Sequence, residues 1–211
     1  MRFFVLFLLL TVFSGIPPDG AAFAQSNGDL PVQKTQDDET AKVKPEKKPV
    51  ILTDNLDEMF HLLKRTRDPK LSARISAKIW ELWQTSESRS IDLLMTWARA
   101  AMQRRQFAAA LDLLDQVVVI KPDYAEGWNQ RATLHFVMKN YGKSVADIER
   151  TLALEPRHYG ALAGLAAIQQ TLGQDKAALA TWYRALEVFP AMKSAQKSVI
   201  ELEEELAGSS L

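Results

Sequence analysis

The chain reads as an all-α protein, a right-handed solenoid of stacked helical hairpins, and three observations lead there. Pro122, Pro156 and Pro190 recur at a strict 34-residue interval. The residues between them recur in step, small with small and bulky with bulky. On both sides of that block, apolar residues return every three or four positions, the spacing of one helix face. A fixed period of this length marks a unit that buries its apolar face by stacking on its own copies.

Three units lie in register, residues 91–124, 125–158 and 159–192. Their fourth places hold Leu94, Trp128 and Leu162, and their eighth Ala98, Ala132 and Ala166. The twentieth gives Ala110, Ser144 and Ala178, the twenty-fourth Leu114, Ile148 and Trp182, and the thirtieth Ile120, Leu154 and Val188. The thirty-second is proline each time. Small residues at places eight and twenty let the two helices of a hairpin approach closely. Bulky residues at places four and twenty-four fill the seam between hairpins. Proline stops the second helix, because it lacks an N–H and clashes with the preceding turn.

This pattern resembles the tetratricopeptide repeat, a helix–turn–helix unit of about 34 residues. The resemblance covers residues 91–192, about half of the chain. Departures exist: the aromatic usual at place eleven is replaced by Ala101, His135 and Gln169, while Phe107 and Tyr141 stand at place seventeen and Asp175 in the third unit. With its amino terminus, the chain looks like the small exported, periplasmic tetratricopeptide proteins of Gram-negative envelopes.

Both ends of such a stack need covering. Residues 51–90 show Leu56, Met59, Phe60 and Leu63 on one helix face, with Thr53 or Asp54 as the expected cap. Asp68-Pro69 breaks that pattern and starts a second helix carrying Leu71, Ile75, Ile79, Trp80 and Trp83. Counting back by 34 sets Phe60 at place four and Trp80 at place twenty-four, with Ser88 where proline would be. The segment reads as a degenerate leading hairpin that covers the first unit, with both tryptophans as core anchors. At the other end, residues 193–211 continue a stripe of Met192, Ala195, Val199, Leu202 and Leu206. It suits a capping helix and tail better than a coiled-coil seam, which two heptads barely sustain.

Residues 1–24 read as a signal peptide: Arg2, an apolar run over 3–13, breakers over 15–20, then Ala22-Phe23-Ala24, with cleavage expected near Ala24/Gln25. The run is short of the ~20 residues that span a bilayer core. An uncleaved signal anchor is the alternative, and the only route to membrane contact. Residues 25–50 are almost free of large apolar side chains and are expected to be a disordered linker. Lys42, Lys44, Lys47 and Lys48 read either as a contact for anionic surfaces or as a solvated tail, with Asp37, Asp38 and Glu39 cancelling much of their field. The chain has no cysteine, so an exported domain must hold together by packing alone.

The resemblance also implies where a partner sits. In the family, places two, five, nine and twelve of each unit's first helix face a concave groove. Those places are Asp92, Met95, Arg99 and Met102; Glu126, Asn129, Thr133 and Phe136; and Gly160, Ala163, Ala167 and Gln170. Gly160, Ala163 and Ala167 leave room either for a bulky side chain of a bound segment or for filling by the carboxy-terminal helix. The carboxylate clamp known in some family members is not reproduced, since Met95, Arg99 and Gln130 stand where it uses a cation, asparagine and asparagine.

Catalysis finds no support. His61, His135 and His158 belong to no H-E-x-x-H pair, His158 reads as a surface residue of its turn, and no phosphate loop, dinucleotide fingerprint or G-x-S-x-G elbow occurs. No metal or cofactor is expected. With 26 basic and 26 acidic residues the net charge is zero, which disfavours nucleic acid. The expectation is a non-enzymatic scaffold of the cell envelope that binds a protein or extended peptide in its groove. The alternative is a structural envelope protein that self-associates, as a homodimer, through the carboxy-terminal amphipathic helix.

Overall fold

A computed structural model describes residues 51–208 of the chain. The expected signal peptide and linker, 1–24 and 25–50, lie outside these residues. Among the described residues nine helices follow one another: α1 Leu56–Arg65, α2 Pro69–Trp83, α3 Arg89–Gln103, α4 Phe107–Ile120, α5 Ala125–Val137, α6 Tyr141–Leu154, α7 Tyr159–Thr171, α8 Asp175–Val188 and α9 Lys193–Gly208. The described residues form no strand. The expected all-α hairpin solenoid is what the chain adopts, with α3–α4, α5–α6 and α7–α8 as its three stacked hairpins.

The repeat explains the geometry place by place. Ala98 and Ala110, Ala132 and Ser144, and Ala166 and Ala178 are all buried where paired helices touch. Ser144 tolerates this because its hydroxyl donates to the Ala132 carbonyl at 2.7 Å. Each hairpin turns through three residues, and the middle one is left-handed: Arg105 at φ 60°, Lys139 at φ 60° and Gly173 at φ 70°. The residue after it, Gln106, Asn140 or Gln174, donates its N–H back to Ala101, His135 or Gln169 and closes the helix end. Only the third unit uses the residue that adopts this conformation without strain.

Successive units meet through places three and seven of the first helix. In α5 these are Gly127, where a Cβ would sit 2.8 Å from Val117, and Arg131, which pairs with Asp115 of α4 at 2.8 Å. In α7 they are the buried Ala161 and the half-buried Leu165, packed with Ile148 of α6. Helix α9 repeats the pattern with Ala195 and Val199, both in the core of the last hairpin. Place four locks the junction in two cases, since Trp128 Nε1 and Gln196 Nε2 donate to the carbonyls of Pro122 and Pro190.

Helix α9 is therefore a capping helix, laid on α8 as the first helix of a further unit would be. Its stripe of Ala195, Val199 and Leu202 is buried, so it is not free to form the self-association seam considered above. Place eight, small in every other unit, is Ile200, 56% exposed. That exposed side chain is larger than the small residues through which the paired helices of the repeats touch.

The leading hairpin departs from expectation. Its helix cap is Asn55, whose side chain accepts from Asp57 N and Glu58 N, while Thr53 bonds Glu58 and Asp54 pairs with Lys78. Asp68 caps α2 with Pro69 in the first turn, as the sequence indicates. The turn at 66–68, however, falls four places earlier than in the repeats, so α1–α2 is not a unit in register. Instead of covering α3, it packs on the start of α7 and the α8–α9 turn: Met59, Phe60, Leu63, Ile75, Ile79 and Trp83 share a core with Tyr159, Val188, Phe189 and Met192. Trp83 stacks on the His158 ring with centroids 4.0 Å apart, and Trp80 meets His158 and Tyr159 edge-on. Arg157 lies 4.3 Å above Phe60 and bonds Asp57 at 2.6 Å. Both tryptophans are anchors, but of a different junction.

Candidate functional site

The first helices of the three repeats, α3, α5 and α7, carry the twelve candidate groove residues, and the structure divides them into two sets. The first set is committed within the fold. Asp92 accepts from the backbone N–H and hydroxyl of Ser86, at 2.9 and 2.6 Å, and holds the approach to α3. Met95 is wholly buried with Ile91, Ala98, Tyr124 and Leu134, and Met102 packs against the same cluster. Met95 is thus core, not groove wall.

Glu126 is buried as well, and its carboxylate accepts from Asn129 Nδ2 at 2.9 Å, Gln130 Nε2 at 2.6 Å and His158 Nε2 at 3.1 Å. His158 corrects another expectation: it is fully buried, not on the surface. Its Nδ1 accepts from Ala161 N and caps α7, which leaves the proton on Nε2 to reach Glu126. A residue 32 positions away thereby ties α5 to α7. Burial first, and then the Glu126 charge, raise the Tyr124 and Tyr159 hydroxyls well above the usual phenol range. Gln170 accepts from Trp182 Nε1 at 3.0 Å. Gly160 stands at the end of the cleft and admits the leading hairpin, not the carboxy-terminal helix. Trp80 of α2 fills its space, and a Cβ there would lie 3.0 Å from that ring. Ala163 packs toward the core shared with α8 and α9.

The second set surrounds an open cleft between α5, α6 and α7. Asn129, Thr133, Phe136, Gly160 and Ala167 line it together with Ala132, Ser144, Ile148, Ala161 and Gly164, and enclose about 140 Å³. Its cause is the small face of α7: Trp80 occupies the space beside Gly160, while Gly164, where a Cβ would lie 3.5 Å from Ile148, and Ala167 leave theirs open. The polar groups at its wall have internal partners, as Asn129 donates to Glu126, Thr133 to the Asn129 carbonyl and Ser144 to the Ala132 carbonyl. What the cleft offers a ligand is therefore mainly apolar. A dry apolar cavity of ~150 Å³ admits a benzene ring, so this one has the size for an aromatic or branched aliphatic side chain. Phe136, 36% exposed and tilted against Tyr141, stands at its rim.

Donor capacity lies at the first-unit end. Arg99 bonds Thr96 through Nη2, while its Nη1 and the Tyr124 hydroxyl are buried without a hydrogen-bond partner among the described residues. The place rule missed Ala132, Ser144, Ile148, Ala161 and Gly164, which belong to other places. The Gly160/Gly164 spacing was the available signal for the cleft. Outside it, Arg131 bridges Asp115 and Asp147, and burial holds the neighbouring His135 ring below its ordinary pKa against the pull of Asp147. No cluster of three metal-ligating side chains occurs among the described residues.

No established family model matches the chain. A TPR repeat-containing protein of Rhizobium etli is 50% identical over 154 residues, 73% of this chain and 76% of that protein. Among solved structures, the first TPR domain of Spaghetti bound to an HSP90 peptide superposes with a TM-score of 0.54 at 19% identity, over 57% of this chain and 95% of that one. The Sgt2 TPR domain of Aspergillus fumigatus gives 0.54 at 18% identity, over 58% and 83%. MamA gives 0.53 at 18% identity, over 74% and 87%. At these identities the solved structures share the fold alone.

Proposed function

We infer function from one premise: this chain belongs to the tetratricopeptide repeat family. The fold is that of a protein–protein interaction scaffold. We propose that it works without catalysis, in the exported periplasmic compartment, and holds a protein or extended peptide of the cell envelope along α3, α5 and α7. Arg2, the apolar run over 3–13 and Ala22-Phe23-Ala24 support the compartment. The observation that carries the binding mode is the α5–α6–α7 cleft, whose polar wall groups are satisfied internally while its apolar wall stays open. It takes one bulky apolar anchor of the partner, and the half-buried Arg99 at the first-unit end is the donor for the partner's backbone or a carboxylate.

Selection of a displayed peptide library on the mature chain tests this. Recovered peptides are expected to share one aromatic or branched aliphatic anchor. Ala167→Leu, which fills the cleft from α7, is expected to weaken them about 30-fold, the equivalent of ~2 kcal/mol of lost side-chain burial. Unchanged affinity in Ala167→Leu, with the fold intact, overturns the assignment.

A further inference from the structure

The stack is closed at its carboxy-terminal end by α9 but not at its leading end. Places three and seven receive the preceding helix in α5, α7 and α9. In α3 those places hold Leu93 and Trp97, which are 47% and 52% exposed because the leading hairpin packs elsewhere. An interface used three times within the chain thus continues onto an apolar face that, among the described residues, is left exposed. Its neighbours along α3 are Ser90 and Ala100, small enough to let another helix close in.

We propose that this face binds α3 of a second copy of the chain, antiparallel, around a two-fold axis between Leu93 and Trp97. Self-complementarity selects that occupant. An antiparallel pair sets Leu93 of each copy against Trp97 of the other, and Ser90 against Ala100. It also brings Glu87, exposed two residues ahead of α3, to the exposed Arg104–Arg105 turn of the other copy. Opposite charges therefore meet at both ends of the apolar strip, and the arrangement closes as a dimer instead of growing. The strip is narrow, so the dimer is weak and concentration-dependent. This surface is distinct from the buried α9 stripe and from the α5–α7 cleft.

Sedimentation of the mature chain over a concentration series reads the mass directly. The expected result is a monomer–dimer equilibrium that Trp97→Asp shifts to monomer with helical circular dichroism unchanged, while Ile200→Asp on the opposite end has no effect. A charge exchange supplies the orientation without touching the apolar strip. Glu87→Arg alone and Arg104→Glu/Arg105→Glu alone each weaken dimerisation, and an equimolar mixture of the two restores it. A chain that stays monomeric at every concentration overturns the proposal, as does a dimer indifferent to Trp97→Asp. A mixture no stronger than its components overturns the antiparallel arrangement.

Discussion

Trp83→Ala should unfasten the leading hairpin while leaving the first two repeats standing. The indole is 7% exposed and packs on His158 at 4.0 Å, Tyr159 at 5.0 Å, Trp80 at 5.4 Å and Phe60 at 5.7 Å. Truncating a buried aromatic costs about 3–5 kcal/mol. One term runs the other way: Trp83 Nε1 is buried with no hydrogen-bond partner among the described residues, and deleting an unsatisfied donor recovers about 1–3 kcal/mol. The net expectation is a loss of about 2 kcal/mol. Trp83→Phe keeps most of the stack and drops the unsatisfied N–H, so it should stay within about 1 kcal/mol of the parent. Urea unfolding measures both values. Hydrogen exchange locates them, because repeats couple mainly to their neighbours. Protection should fall in α1, α2 and the first turn of α7 and persist in α3–α4. Equal cost for the two substitutions, or loss spread evenly over all helices, would refute the reasoning.

Two further outcomes follow from named positions. Lys139→Gly relieves a left-handed lysine at φ 60° and should raise stability by about 0.5–1 kcal/mol, read as a higher urea midpoint, whereas Gly173→Ala should lower it. His135 is held below the ordinary imidazole value of 6.5, chiefly by burial. The unfolded chain then binds more protons than the folded one, so this stability is present above pH 6.5 and is lost as pH falls through the lowered value. Melting curves of His135→Gln should be flatter than the parent's over that window, and parallel curves would remove His135 as the cause.

Much of the fold was legible because the repeat is a local code. The prolines, the small residues at places eight and twenty and the seam residues at places four and twenty-four act within one unit or its immediate neighbour, and all three hairpins form where they indicate. The α9 cap was legible for the same reason, its stripe being the next first helix in phase. The candidate groove was half legible. Asn129, Thr133, Phe136, Gly160 and Ala167 meet at the cleft. Asp92, Met95, Glu126 and Gln170 have the right places but are committed to partners within the fold.

Those commitments are long-range, and periodicity carries no information about them. Glu126 meets His158 across 32 residues, Tyr159 bonds Ser76 across 83, and Arg157 bonds Asp57 across 100. Sequence by itself determined which segments are helices, where each turns and how each unit leans on the next, since steric size and proline act between near neighbours. Only the tertiary structure decided where the leading hairpin lies. A turn four places early put it out of phase with the stack, and its aromatic face then found its burial against α7 and the α8–α9 turn, leaving Leu93 and Trp97 uncovered.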